Sequence, residues 1–235
     1  MKKVLSENKL YFICFLGFAL IGGGLLLYMS QGDLIFWASQ NRTAFTDYLF
    51  IYGTRMGEEL VYVLLFVGFL FYRVRLSLAV AATGLLTMGI SFISKSFFLH
   101  DRPALYFKKL DILDQINLVQ GVELHTGATS FPSGHTMSAF ALFGLLALLL
   151  PKERKNWSLA LFALALLVAL SRVYLVQHFL KDIYLGAWMG VFISLLLYFL
   201  LTRRSEMQTP EHWLNRPFFT FKNRLFLGRR KNKRV

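Results

Sequence analysis

The chain alternates between long runs with almost no charge and short polar stretches that carry nearly all of it. A helix that crosses a bilayer needs about 20 mostly apolar residues. At that length six runs emerge, at residues 10–29, 57–72, 76–99, 132–150, 157–176 and 183–201. They predict an all-α integral membrane protein, with six transmembrane helices bundled in one domain over residues 1–201 and a tail over residues 202–235. The second run is the weakest, because it is short and Glu58 and Glu59 crowd its start; a partly interfacial helix is the alternative there. The first run follows Lys2, Lys3 and Lys9, as a signal peptide would, but its apolar stretch is too long for an h-region and no small-x-small cleavage site follows. It therefore reads as a retained span.

Composition agrees with that reading: 56% of the 235 residues are hydrophobic, and the mean hydropathy is +0.51. A net charge of +13 first suggests nucleic acid, but its placement argues otherwise. With the N-terminus inside, the inner segments hold eighteen Lys/Arg and four acids, and the outer segments hold eight Lys/Arg and nine acids. The inner face thus carries +14 and the outer face −1, the positive-inside signature. Both termini are expected in the cytoplasm, with no nucleic-acid partner. The single cysteine, Cys14, lies inside the first run, so no internal disulfide forms.

Between the first two runs, residues 30–56 mix Phe36, Trp37, Phe45, Tyr48 and Phe50 with Asp33, Arg42 and Asp47, which suits an interfacial segment. The longest outer connection is the loop at 104–131. The tail sets Trp213, Phe218, Phe219, Phe221, Leu225 and Phe226 among ten basic residues, a pattern that favours anionic lipid head groups. A solvated tail that only enforces topology is the alternative. No repeat, Gly-rich phosphate loop or zinc-type Cys/His cluster is present, so no metal or other cofactor is expected.

Ionisable side chains inside or at the ends of membrane helices are costly and point to function. Three clusters carry them. The first is Lys95 with Arg102-Pro103, where proline is expected to stop the third span. The second is Pro132-Ser133-Gly134-His135, where the fourth span begins. The third is Ser171-Arg172 followed by His178 and Asp182, where the fifth ends. Counting spans in and out puts all three on the outer side. Singly each has a plain reading: Lys95 and Arg102 as snorkelling anchors, Asp182 as a helix cap, the histidines as interfacial polar residues.

Together these residues supply what a phosphoester site needs. Arg102 and Arg172 can each bond two phosphate oxygens in a fixed fork, and Lys95 adds a point charge. The helix opening at Ser133-Gly134 offers free N–H groups and a positive dipole end. His178 and Asp182 are four residues apart, so in a helix they would share a face, with the carboxylate holding one ring nitrogen protonated and freeing the other.

This arrangement, Lys95 with Arg102-Pro103, then Pro132-Ser133-Gly134-His135, then Ser171-Arg172, His178 and Asp182, resembles the tripartite signature of the type 2 phosphatidic acid phosphatase superfamily. The resemblance covers at least residues 95–182, and no motif position departs from it. It implies that His178 attacks phosphorus to give a phosphohistidine, that Asp182 orients His178, and that His135 protonates the leaving group. Lys95, Arg102, Ser133, Gly134 and Arg172 would hold the phosphoryl group. Six spans further imply a lipid phosphate as substrate, in a bacterial inner membrane, with the 104–131 loop choosing the head group. Bacterial relatives of this size act on phosphatidylglycerol phosphate, undecaprenyl diphosphate, phosphatidate or lipid A. Two rival readings remain open from the sequence: transfer of the phosphate to a second lipid, and a non-enzymatic binder of anionic lipids. No motif bears on oligomeric state.

Overall fold

The structure is a computed structural model that describes residues 2–202 and 212–219. Ten α-helices, joined by short 3-10 turns, make up its regular structure, and there is no strand among the described residues. They are α1 (Lys2–Glu7), α2 (Lys9–Tyr28), α3 (Asp33–Gln40), α4 (Ala44–Thr54), α5 (Glu59–Leu70), α6 (Val74–Phe98), α7 (Pro103–Lys109), α8 (Gly134–Leu149), α9 (Trp157–Tyr174) and α10 (Leu180–Thr202).

Each of the six apolar runs forms a helix, but they are not equivalent. Four, α2, α6, α9 and α10, are long and apolar enough to cross a membrane, and the chain is an integral membrane protein. The other two are shorter than the expected span: α5 has 12 residues and α8 has 16. At 1.5 Å per residue they reach about 18 and 24 Å, against a hydrocarbon core of about 30 Å. The turn at Arg55–Gly57 and its acidic exit set the start of α5. Ser133 and Pro151 bound α8.

Their apolar residues also answer to different surroundings. Helix α5 has no buried residue, whereas most of α8 is buried, packed chiefly on α10 and then on α9 and α6. Helix α8 is therefore the core of the bundle. Its contact with α10 depends on small residues, as helix pairs in membranes commonly do. A Cβ on Gly190 would stand 2.6 Å from the Met137 carbonyl oxygen and 2.7 Å from Phe140 Cβ, and one on Gly186 would stand 2.7 Å from the Ser133 carbonyl oxygen. Backbone cannot yield as a side chain does. Gly190→Val should therefore cost about 1–3 kcal/mol by overpacking, seen as a lower unfolding temperature in detergent; an unchanged temperature would show that the two helices are not held so close.

At one end of the bundle, Lys155 Nζ donates to the carbonyls of Ala147 (3.2 Å) and Leu148 (3.0 Å) and to Asn8 Oδ1 (2.6 Å). A cation on the last carbonyls of α8 satisfies acceptors that the helix leaves open. Next to it, part of the tail folds back: Phe218 N donates to Leu70 O at 2.8 Å and Val74 N to Arg216 O at 3.2 Å. The rest of the basic tail lies outside the described residues.

At the other end, residues 30–56 are helical in two pieces. Thr43 and Thr46 cap α4 reciprocally, Thr46 N donating to Thr43 Oγ1 and Thr43 N to Thr46 Oγ1. Trp37, Phe45, Tyr48 and Tyr52 are exposed. A latch fixes α4 against the end of α9: Arg42 holds Asp47 with two hydrogen bonds of 3.0 and 2.7 Å, and Tyr174 Oη donates to the same carboxylate at 2.6 Å.

The 104–131 connection is only partly a loop. The third apolar helix is not stopped by proline: α6 ends at Phe98, where Leu99 takes a left-handed conformation with φ 47°. Pro103 instead opens α7, at a position where its missing N–H costs nothing. The connection is tied down by buried Phe107 in α7, by buried Ile116 and Val119 beyond it, and by Arg42, whose Nη1 donates to Asn117 O at 2.8 Å.

Candidate active site

The end of α6, the starts of α8 and α10 and the end of α9 meet at the end of the bundle away from Lys155. Four helix termini thus bring together residues that lie up to 87 positions apart in sequence, from Lys95 to Asp182.

His178 lies in the short turn between α9 and α10. The amides of Gln177 and His178 both donate to Arg172 O, at 2.9 and 3.0 Å. Val176 adopts φ 58°, unusual for a β-branched residue, as the chain reverses. Asp182 sits in the first turn of α10, and its Oδ2 accepts from Phe179 N at 2.9 Å and faces His178 Nδ1 at 3.3 Å. The expected shared helical face is therefore corrected: His178 precedes the helix, and the pair forms because Asp182 caps the turn that carries it. Asp182 performs both of the jobs considered for it.

Both side chains are sealed, His178 at 1% exposure and Asp182 at 0%. Burial pushes the imidazole pKa down, against the opposing pull of the Asp182 hydrogen bond. The shift favours the uncharged ring. With Nδ1 facing the carboxylate, its proton belongs there and the Nε2 lone pair is left free.

Ser133 joins the two helix starts. Its amide donates to Asp182 O at 3.0 Å, and its hydroxyl caps α8 by accepting from Thr136 N and Thr136 Oγ1, at 3.4 and 3.0 Å. Gly134 and His135 follow in the first turn, where backbone N–H groups have no helical acceptor. A Cβ on Gly134 would meet Ser91 Oγ at 2.9 Å and Lys95 Nζ at 3.7 Å, so the Lys95 ammonium stands beside the helix start. The charges of Arg172, Lys95 and Arg102 all act on His135. Those of Arg102, Arg172 and Asp182 act on Lys95.

Arg172 is 6% exposed, and its Nη1 donates to Thr54 Oγ1 at 2.7 Å. Its Nε has no protein partner among the described residues. One corner of the fork is thus anchored while an edge remains for a ligand. Arg102, at the cap of α7, reaches Thr129 Oγ1 at 3.3 Å and Gln177 O at 3.4 Å. Gln177 in turn donates to Glu123 O at 2.9 Å, fastening the 104–131 connection over the turn that holds His178.

All eight residues singled out in the sequence, Lys95, Arg102, Ser133, Gly134, His135, Arg172, His178 and Asp182, therefore fall at one end of the bundle. Sequence reasoning missed Thr54, Glu58 as a charge acting on Arg172, Gln177, and Ser130, whose Oγ donates to Asp182 Oδ2 at 2.5 Å. Only Ser130 and Gln177 carried a signal, as small or polar neighbours of the motifs. Thr54 lies 118 residues from Arg172, and nothing local marks it.

Comparison with known proteins extends the likeness. Phosphatidylglycerophosphatase B of Bacillus subtilis (strain 168) is 38% identical over 85 residues, 33% of this chain and 40% of that protein. Lipid A 1-phosphatase of Rhizobium johnstonii is 34% identical over 91 residues, 38% of this chain and 36% of that protein. The chain thus matches two fifths or less of the length of these relatives. Among solved structures, Aquifex aeolicus LpxE superposes with a TM-score of 0.58 at 26% identity, covering 71% of this chain and 93% of that one. The transmembrane PAP2 type phosphatidylglycerolphosphate phosphatase from Bacillus subtilis shares the fold, with a TM-score of 0.56 at 21% identity over 90% of this chain and all of that one. The PAP2 superfamily model matches residues 72–206, more than half of the chain and every motif described above, so the protein belongs to the PAP2 superfamily.

Proposed function

We propose that this protein is a metal-independent lipid phosphate phosphatase that works through a phosphohistidine. The observation that carries the reading is the buried His178–Asp182 pair, 3.3 Å apart, set against a helix N-terminus and three cationic side chains. Phosphoryl transfer requires mainly positioning and charge stabilisation. In the first step His178 Nε2 attacks phosphorus as the bond from phosphorus to the leaving oxygen breaks, and His135 gives that oxygen a proton. In the second step His135, now unprotonated, takes a proton from water, the oxygen attacks phosphorus, and the N–P bond breaks to release inorganic phosphate. Lys95, Arg102, Arg172 and the amides at Ser133-Gly134 hold the non-bridging oxygens in both steps.

The substrate class follows from the setting. A site at the ends of membrane helices favours a lipid head group that enters from the bilayer, and the relatives named above point to a phosphatidylglycerol phosphate or a lipid A 1-phosphate. Undecaprenyl diphosphate has the same terminal chemistry. The polar residues of the 104–131 connection, Lys108, Lys109, Asp111, Asp114, Glu123 and His125, would choose among them. The catalytic domain comprises residues 1–201.

The site supplies its own cations, so a chelator should leave phosphate release unchanged. Vanadate should inhibit, because it adopts the trigonal bipyramidal geometry such a pocket stabilises. Activity lost to chelator and restored by zinc or magnesium would contradict this mechanism.

The charge imbalance between the two faces puts both termini in the cytoplasm and the site at the outer face of a bacterial inner membrane. Asp114→Cys in a Cys14→Ser background should therefore react with an impermeant thiol reagent on intact cells. Labelling only after lysis would reverse the orientation.

A further inference from the structure

Ser130 lies three residues before Ser133, in the last stretch of the 104–131 connection, and is completely buried at 0% exposure. Its amide donates to His100 O at 3.0 Å, which fixes its backbone. Its hydroxyl completes a closed triangle, with Oγ 2.5 Å from Asp182 Oδ2, Oγ 3.4 Å from His178 Nδ1, and Oδ2 3.3 Å from Nδ1. The single hydroxyl proton goes to the carboxylate, the close acceptor. The oxygen lone pairs then face Nδ1, so the Nδ1 proton is shared between Oδ2 and Oγ.

Two features make this arrangement matter. The His178–Asp182 contact of 3.3 Å is long beside the usual 2.7–2.9 Å of a charge-assisted bond, so the carboxylate alone holds the ring loosely. The carboxylate is also held on one side only: Oδ2 takes Ser130, Phe179 N and His178, while Oδ1 has no partner among the described residues. Without the hydroxyl, the Phe179 amide is the one remaining donor from outside the pair, and the carboxylate can rotate away from the ring. Ser130 lies on the Nδ1 side, away from the nucleophilic Nε2, so it does not touch the substrate.

We propose that Ser130 is a positioning residue that holds Asp182 and the His178 ring together, so that Nε2 stays aimed at phosphorus. The role rests on the proposed phosphohistidine chemistry. During phosphorylation of Nε2 the ring becomes cationic while Nδ1 keeps its proton, and the triangle then spreads that charge over Asp182 and the serine oxygen. No bond to Ser130 forms or breaks.

The test is a double-mutant cycle with wild type, Ser130→Ala, Asp182→Asn and the double variant, each purified in detergent. Phosphohistidine formation from p-nitrophenyl phosphate is followed by rapid quench, steady-state phosphate release by kcat and KM, and folding by thermal unfolding. Loss of a hydrogen bond to a charged group should lower kcat roughly 10- to 100-fold, with KM and unfolding temperature little changed. The same substitution in the Asp182→Asn background should cost almost nothing further, because Ser130 acts through the carboxylate. Independent losses that multiply, a change confined to KM, or a variant that fails to fold would each overturn the role. A wild type that turns over without forming phosphohistidine would overturn the proposed function and the role with it. A wild type that forms it beside a non-interacting cycle would overturn only the role of Ser130.

Discussion

His178→Ala should remove essentially all turnover, a loss of roughly four orders of magnitude or more by analogy with nucleophile and triad deletions in other hydrolases. Nothing else at the site can replace it. Asp182 is fully buried behind the ring, Ser130 lies on its far side, and the proposed mechanism already uses His135 for proton transfer. The variant keeps Lys95, Arg102 and Arg172, so it should still bind a lipid phosphate with affinity close to that of the wild type. Asp182→Asn should be less severe, since an amide oxygen can still cap the turn through Phe179 N while the ring loses its charged partner. Phosphate release by purified variants, corrected for folded protein, distinguishes these outcomes. Near-normal turnover in His178→Ala would mean that another group is the nucleophile.

His135→Ala should split the reaction into its two halves. The first step needs a proton for the leaving oxygen, but a strongly acidic leaving group departs without one. With p-nitrophenyl phosphate the variant should therefore still form phosphohistidine. The second step has no such escape, because water must lose a proton to attack, and general base catalysis is typically worth about 10²–10⁴-fold. The phosphoenzyme should accumulate at His178, acid-labile and stable to mild alkali, and mass spectrometry after rapid quench should locate it there. A variant that binds the reagent normally yet forms no phosphoenzyme in a single turnover would give His135 a role other than proton transfer.

Much of this site was legible in the sequence because each part is a local signal at a helix end. Ser133-Gly134 reads as a helix start, and it is one. His178 and Asp182 read as a pair, and they are one, although the pairing arises from a capped turn rather than from a continuous helix. Hydropathy located all six apolar helices but not their setting. It cannot tell a helix such as α8, apolar because protein surrounds it, from a helix such as α5, apolar with no buried residue. Pro103 reads as a stop but acts as a start, because Leu99 has already turned the chain. The partners of the site residues were hidden for a different reason. Thr54 reaches Arg172 across the α4–α9 contact that Arg42, Asp47 and Tyr174 help to hold, and no local pattern encodes that contact.

The most direct test of the central claim is to offer the purified protein, in the presence of a chelator, a panel of defined lipids: phosphatidylglycerol phosphate, phosphatidate, lipid A and undecaprenyl diphosphate. Both the phosphate and the lipid product would be measured. The account predicts inorganic phosphate and dephosphorylated lipid in equal amounts from at least one member, with both absent in His178→Ala. Phosphate appearing on a second lipid with none released would contradict hydrolysis, and tight binding of the whole panel without turnover would contradict catalysis.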